Sequence, residues 1–309
     1  MKYFKLLLLS LSIFYALWSC KHNSREVTAI NYFNQEIPVN EAEIFAPGLI
    51  SLEDRWEGNA NFSFDGSEFY FNVFTDSMRR KKIYWSKYIN GEWTESTVLE
   101  AIGDYNNWEP FISYSGKELF FVSTRPPGQD EWNGRIWSSA KDPKNNWTEP
   151  QYLNLGYETK NGFWFPNHSQ LSSNIIYFGG NIENHKSVGM GDLYYYNIAK
   201  DSVVNIETLN SENEDWDPFI SSDESYILWA SERQGGFGGT DIYISFKHQG
   251  KWDQPINMGK EINSSGYEVA PRISSDGKIL FFDRPSKGSQ DIFWISSRII
   301  EKLKRQNTK

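Results

Sequence analysis

The chain has one cysteine, Cys20, so no disulfide can form within it. Its four histidines (His22, His168, His185 and His248) are scattered, and their spacing assembles neither a Cys/His metal cluster nor a Cys–His nucleophile pair. No G-x-S-x-G elbow and no G-x-x-x-x-G-K-S/T phosphate loop occurs. Nothing in the pattern asks for a metal or a cofactor. Positive charge is also in short supply: 31 Lys and Arg against 40 Asp and Glu give a net charge of −9, or −11 if Lys2 and Lys5 leave with a leader. Phosphate-backbone binding needs clustered cations, so nucleic acid is disfavoured as a partner. The apolar run at residues 6–18 is shorter than the about 20 residues a membrane-spanning helix takes.

What the chain has in abundance is aromatic residues, 21 Phe, 17 Tyr and 13 Trp, or 17% of 309 residues. Hydrophobic residues make up 39%, enough for a packed core. Lys2 and Lys5, the apolar run and Ser19-Cys20 have the layout of an export signal. Leu17-Trp18-Ser19-Cys20 resembles the lipobox of bacterial lipoproteins, with Trp18 larger than usual at its position. The resemblance implies a signal peptide at 1–19, cleavage before Cys20, and acylation of Cys20 (palmitate among the chains) that anchors the protein to a membrane. It points to the cell outer membrane, with the periplasmic side slightly favoured because no acidic run follows Cys20. Residues 20–42 are polar and without period, and are expected to be a tether.

A five-fold repeat dominates the remainder. Aromatic residues followed in four cases by an acid recur as Trp56-Glu57, Trp108-Glu109, Trp164-Phe165, Trp216-Asp217 and Tyr267-Glu268, at steps of 52, 56, 52 and 51 residues. After each comes an alternating run, a turn and a second run. The turns are Asp65-Gly66, Ser115-Gly116, Ser173-Asn174, Asp223-Glu224 and Asp276-Gly277, where Asp-Gly is a strong hairpin signal. The runs are rich in aromatic and β-branched residues, which suit a pleated surface. Units of four strands at this spacing predict an all-β fold, a five-bladed β-propeller over residues 43–296, with six blades as the alternative count. The last repeat lacks a fourth strand, and residues 44–50 share the spacing of Pro150 to Leu153. The N-terminal strand is therefore expected to complete the last blade, which removes an open edge. Residues 297–309 form a basic tail with Ile299, Ile300 and Leu303 on one potential helical face, expected to pack lightly on the domain.

Ser275-Asp276-Gly277-Lys278 together with Arg233-Gln234-Gly235-Gly236-Phe237-Gly238-Gly239-Thr240-Asp241-Ile242-Tyr243 resembles the WD40-like, TolB-type propeller repeat of bacterial envelope proteins. The resemblance implies the fold. It is compatible with binding domains, assembly factors and some enzymes.

In a propeller the first strand of each blade lines the central channel. The distances from acid to turn are 9, 7, 7 and 9 residues, so in the absence of a bulge all four carboxylates share one strand face. That predicts a channel mouth ringed by Glu57, Glu109, Asp217 and Glu268, beside Trp56, Trp108, Trp164, Trp216 and Tyr267. Rings next to carboxylates suit a glycan, whose C–H face stacks on them. The competing reading makes the rings blade packing and the acids caps of loop amides. Catalysis, as a glycoside hydrolase, would need two carboxyl groups about 5–9.5 Å apart and one with a raised pKa. Arg125, Arg233 and Arg284 end second strands while Asp192, Asp241 and Asp291 begin third strands, and the expectation is that they bridge strands or touch ligand. The function expected is an anchored envelope lipoprotein whose propeller binds a protein partner or carbohydrate at one face, in polysaccharide use or envelope assembly. The alternative is a carbohydrate-active enzyme.

Overall fold

In each repeat, apolar side chains on alternate residues and a turn that tolerates positive φ give antiparallel hairpins. A computed structural model describes residues 30–75, 79–126, 134–157, 159–168, 172, 174–183, 187–189, 191–286 and 288–307, with the backbone alone at 160–162 and 165. Cys20 and the leader lie outside the described residues. The sheets form five blades in a ring.

The first blade runs Trp56–Phe62, Glu68–Thr75, Arg80–Ile89, Thr97–Val98, and the second Asn107–Ile112, Glu118–Ser123, Arg135–Ala140, Gln151–Tyr152. The third runs Thr159–Asn167, Ile175–Ile182, Asp192–Asn197, Ser202–Asn205, and the fourth Asp215–Ile220, Tyr226–Ser231, Asp241–His248, Ile256–Asn257. The fifth has Val269–Ile273, Ile279–Ser286 and Ser289–Ser296, and its outer strand is Glu43–Ile44 from the other end of the chain. Glu43 lies opposite Trp294 and Ile44 opposite Phe293, and the Phe45 amide donates to the Ile292 carbonyl at 2.8 Å. The expected closure is present.

All inner strands start at the same end of the ring. That end, the loop face, carries the links between blades and the links from second to third strands. The other end, the turn face, carries the turns between first and second strands. In three of those turns one aspartate accepts from the flanking residues: Asp65 from Ser63 Oγ (2.7 Å) and the Ser67 amide (3.1 Å), with Asp223 and Asp276 doing the same.

The core is distributed. Each seam between neighbouring blades holds its own buried cluster, five in all among the described residues. Phe45 is fully buried in the fifth–first seam, 5.1 Å from both Phe281 and Trp294 and 5.3 Å from Phe69.

Two expectations about the ends need correction. The tether does not reach residue 42: from Ile30 on, the chain is packed against the blades. Tyr32 and Phe33 are buried, and Phe33 stacks on Trp93 at 4.4 Å and 8°. The Tyr32 hydroxyl donates to Asp276 at 2.6 Å, and the Ser296 amide to the Pro38 carbonyl at 2.8 Å. This stretch has no period because it follows neither helix nor strand, yet its rings bury enough area to hold it. The basic tail is an α-helix, Arg298–Asn307, whose Ile299 and Ile300 are buried in the fourth–fifth seam with Leu303 packed beside them. Its packing is part of the core.

Deleting residues 43–50 removes the fifth blade's outer strand and the Phe45 plug together. The variant should lose cooperative unfolding in a urea titration followed by tryptophan fluorescence. Phe45→Ala alone should cost about 3–5 kcal/mol. A sharp transition at the native midpoint in the deletion variant would contradict closure by this segment.

Candidate functional site

Every inner strand contains a register break, between Gly58 and Asn61, Trp108 and Phe111, Trp164 and Asn167, Trp216 and Phe219, and Val269 and Arg272. At the break Asn59, Glu109, Asp217 and Ala270 adopt left-handed backbone, with φ of 60°, 58°, 55° and 56°. These are β-bulges, and they decide where the predicted residues go. Trp108, Trp164 and Trp216 are in register with Gly58 and Val269, whereas Trp56 and Tyr267 stand two residues earlier. The four acids split likewise. Glu57 and Glu268 match Asn107 and Asp215; Glu109 and Asp217 match Asn59 and Ala270. The single ring of acids beside aromatics does not form, because the bulge separates the two positions. The prolines Pro110, Pro166, Pro218 and Pro271, each just after a bulge residue, would have aligned the repeats correctly.

The first set of acids is clamped. Glu57, fully buried, accepts from Arg55 Nε at 2.5 Å and the Leu52 amide at 3.3 Å. Asp215, which the dipeptide pattern missed, accepts from Arg233 at 2.7 Å, Trp229 Nε1 at 3.0 Å and the Ser211 amide at 2.6 Å. Glu268 accepts from Arg284 Nε at 2.8 Å and the Ser264 amide at 2.9 Å. The same arginines reach the preceding loop: Arg55 to the Ile50 carbonyl (2.7 Å), Arg233 to Leu209 (2.6 Å) and Arg284 to Ile262 (2.6 Å). Arg125 makes this carbonyl bond, to Ile102, but has Asn107 in place of the acid; its guanidinium lies 4.9 Å from the rings of both Tyr105 and Trp137. Arg55, Arg233 and Arg284 therefore bridge an inner-strand acid to a loop carbonyl, and Arg125 reaches the carbonyl alone.

Asp192 and Asp241, their expected partners, do something else. Asp192 accepts from the Val188 and Gly189 amides at 2.7 and 2.9 Å, and Asp241 from Phe237 and Gly238 at 2.6 and 3.1 Å. The glycine-rich loops thus wrap the chain's own carboxylates. Asp291 is buried opposite Arg284 in the strand ladder and accepts from Ser289 Oγ at 3.5 Å.

The second set lies at the centre. Asp283 accepts from the Asn59 amide at 3.1 and 3.0 Å and from Asn59 Nδ2 at 3.0 Å, and Asp217 accepts from the Ala270 amide at 3.0 Å. The Glu109 amide donates to Asn72 Oδ1 at 2.7 Å. Arg272, 1% exposed, donates to the Pro218 carbonyl at 3.0 Å. Burial pushes the Asp217 carboxyl up to about 7 against the pull of the Ala270 amide and Arg272. Burial also raises Asp283 well above the carboxylate range, with the Asp217 charge adding to it. It lowers Arg272 to about 10, opposed by Asp217, Glu109 and Asp283. Glu57 too rises to about 7, because burial outweighs Arg55. Toward the turn face the channel is filled by Phe64, Phe111, Tyr114 and His168, with ring centroids 5.2–6.2 Å apart, leaving a cavity of about 20 Å³. No group of three or more His, Cys, Asp or Glu among the described residues is arranged to hold a metal.

The aromatic set is equally divided. Trp108 is buried under Lys81 Nζ at 4.7 Å, and a Cβ on Gly134 would sit 2.4 Å from its ring. Trp164 and Trp216 are half-buried and meet edge to face at 5.9 Å. Trp56 is half-buried, and Tyr267 is 55% exposed. The loop face also exposes two rings outside the predicted set, Tyr105 and Phe237, at 43% and 52%. Their signal was available: each is a large aromatic in a link between strands, outside the alternating pattern that builds the blade core.

The titrations have a stability consequence. Asp217 keeps its proton up to about pH 7 when folded, against 3.8 for the free group. Its stabilising contribution is complete below the lower value and is lost as pH rises through the upper one. Glu57 and Asp283 act in the same direction. Asp217→Asn, which can still accept the Ala270 amide and tolerates positive φ, should be more stable than the parent at pH 8 by up to a few kcal/mol, and by clearly less at pH 5. Parallel stability–pH curves for the two proteins would contradict this.

No family model matches the sequence, and no curated relative does. Among solved structures it is similar to TolB from Acinetobacter baumannii, at a TM-score of 0.50 and 14% identity over 78% of this chain and 54% of that one. It is also similar to a TolB-type protein of Agrobacterium tumefaciens, at 0.52 and 15% over 78% and 77%. The catalytic domain of a Coprinopsis cinerea GH62 alpha-L-arabinofuranosidase matches at 0.50 and 9% over 84% and 98%. The chain spans about half the length of the Acinetobacter protein (54%). At these identities the likeness is one of fold: the chain is a five-bladed β-propeller with TolB-like neighbours.

Proposed function

We propose that the protein is a bacterial envelope lipoprotein, anchored through Cys20, whose propeller is a recognition module that binds a glycan with its loop face. The observation that carries this reading is the exposure of Tyr105, Phe237 and Tyr267 on that face, with Asp104 and Glu232 close by in sequence. Exposed rings offer stacking surfaces for sugars, and exposed carboxylates such as Asp104 accept from hydroxyls. The buried acids support binding over turnover, because Glu57, Asp215 and Glu268 are already held by arginines and loop amides. A protein partner on the same face is the other outcome that the experiment below can return.

A second reading, a polysaccharide-degrading hydrolase, has one observation in its favour. Asp217, with its carboxyl near 7, lies in the range of a general acid, and Glu109 occupies the same bulge position two blades away.

One panel of polysaccharide fragments separates these readings. Phe237→Ala and Tyr267→Ala should each weaken retention of a bound fragment by about tenfold without lowering the melting temperature. Retention unchanged by both would move recognition off the loop face, and new reducing ends that vanish in Asp217→Asn would establish the hydrolase. In cells, Cys20→Ser should release the protein from membranes; retention would mean another anchor.

A further inference from the structure

We infer that the turn face lies against the bilayer and that helix Arg298–Asn307 is a second, electrostatic contact with anionic headgroups. The orientation relative to the lipid rests on the Cys20 anchor proposed above; the headgroup contact does not.

The chain enters the fold at the turn face. Ile30, the first described residue, packs on the Asp65-Gly66 turn: a Cβ on Gly66 would stand 2.7 Å from Ile30 Cγ1. Next to it, Tyr32 is tied to Asp276 of the last turn at 2.6 Å. Residues 21–29 separate Cys20 from this point and can extend about 30 Å at most. A lipid on Cys20 therefore leashes the protein by its turn face.

The helix leaves from the same end. The Ser297 amide donates to the Lys278 carbonyl at 2.8 Å and its hydroxyl to the Gly277 carbonyl at 2.5 Å. Ile299 and Ile300 turn inward, while Arg298, Lys304 and Arg305 are exposed. The turn face itself exposes Lys117, Lys144, Lys200, Lys251 and Lys278, beside the exposed acids Asp65, Glu92, Asp201 and Asp223 and Glu301 of the helix; Lys278 is paired with Asp276 at 3.2 Å. Ile89 and Ile198, 49% and 43% exposed, stand at tips on the same face. The loop face leans the other way, with Glu53, Asp54, Glu100, Asp104 and Glu212 exposed against Arg79, Arg80 and Lys260. With the helix included, exposed cations outnumber exposed acids at the turn-face end, where the leash attaches and two apolar tips stand, while acids outnumber cations on the loop face. A single weak membrane signal is strengthened by a basic patch beside it. The arrangement also leaves Tyr105, Phe237 and Tyr267 pointing away from the lipid.

The test uses the chain from residue 20 with Cys20→Ser, so that no lipid contributes, sedimented with phosphatidylglycerol–phosphatidylcholine vesicles or with phosphatidylcholine alone. Binding to the anionic vesicles is expected, falling as salt is raised. Each cation near an anionic surface is worth roughly fivefold, so Arg298→Glu with Lys304→Glu and Arg305→Glu should weaken it at least about tenfold at an unchanged melting temperature. The loop-face control Glu53→Lys with Asp54→Lys should bind no less than the parent. Absence of binding at low salt, or binding untouched by the helix reversals, would overturn the contact. A fluorophore on Ile89→Cys in this cysteine-free background should shift to the blue on the same vesicles and one on Phe237→Cys should not; the reverse would overturn the orientation. Release of Cys20→Ser from membranes in cells bears on the lipid anchor alone.

Discussion

A bulge in a strand breaks the ladder, and this propeller places one in every inner strand. The amides at the bulge, and those just beyond it that point away from the ladder, are buried near the ring axis, where an unpaired donor is costly. The neighbouring blade meets the need. Asp283 takes the Asn59 amide, Asn72 the Glu109 amide, Asp217 the Ala270 amide, Asn61 the Ile112 amide and Asn167 the Ile220 amide. The blades are therefore joined at the centre by directional polar bonds, and at their flanks by non-directional apolar packing. The former fix which blade follows which and at what height.

This constraint explains the electrostatics of the centre. Carboxylates brought there to satisfy amides are desolvated, and Arg272 offsets part of their charge without itself remaining at its ordinary pKa. Further out, the acid–arginine–carbonyl clamps made by Arg55, Arg233 and Arg284 tie the inner strands of the first, fourth and fifth blades to the loops that precede them. Acids that look from the sequence like a ligand site thus perform structural tasks. The exposed rings Tyr105, Phe237 and Tyr267 lie on the loop face, outside the blade cores.

The fifth–first seam carries a different load. Two segments from the N-terminal end cross it, the closing strand Glu43–Ile44 and the packed stretch from Ile30, and the cluster they build contains Phe33, Phe45 and Trp294. A ring of sheets has one place where it can open, and this chain seals that place twice. The same crossing brings the N-terminal segment out beside the C-terminal helix, which gives the molecule a chemically distinct end.

The blade count, the strand order and the exchange of Glu43–Ile44 were legible in the sequence. They follow from a repeat step of about 52 residues, alternating apolar positions and a last repeat one strand short. These are local or periodic signals, and strands and turns obey local rules. Register within the inner strands was not legible from the aromatic–acidic dipeptides. A bulge shifts Trp108-Glu109 by two residues relative to Trp56-Glu57 at no cost in pattern, and only the prolines after the bulge mark it. The partners of Arg233 and Arg284 were not legible either, since several aspartates lie within reach along the chain and the choice among them depends on how loop and blade meet. Sequence alone determined which residues are strand, which are turn and how many times the unit recurs. Tertiary structure decided which carboxylates are buried, what they hold and which rings stay in solvent, because burial and pairing are properties of neighbouring blades brought together by closing the ring.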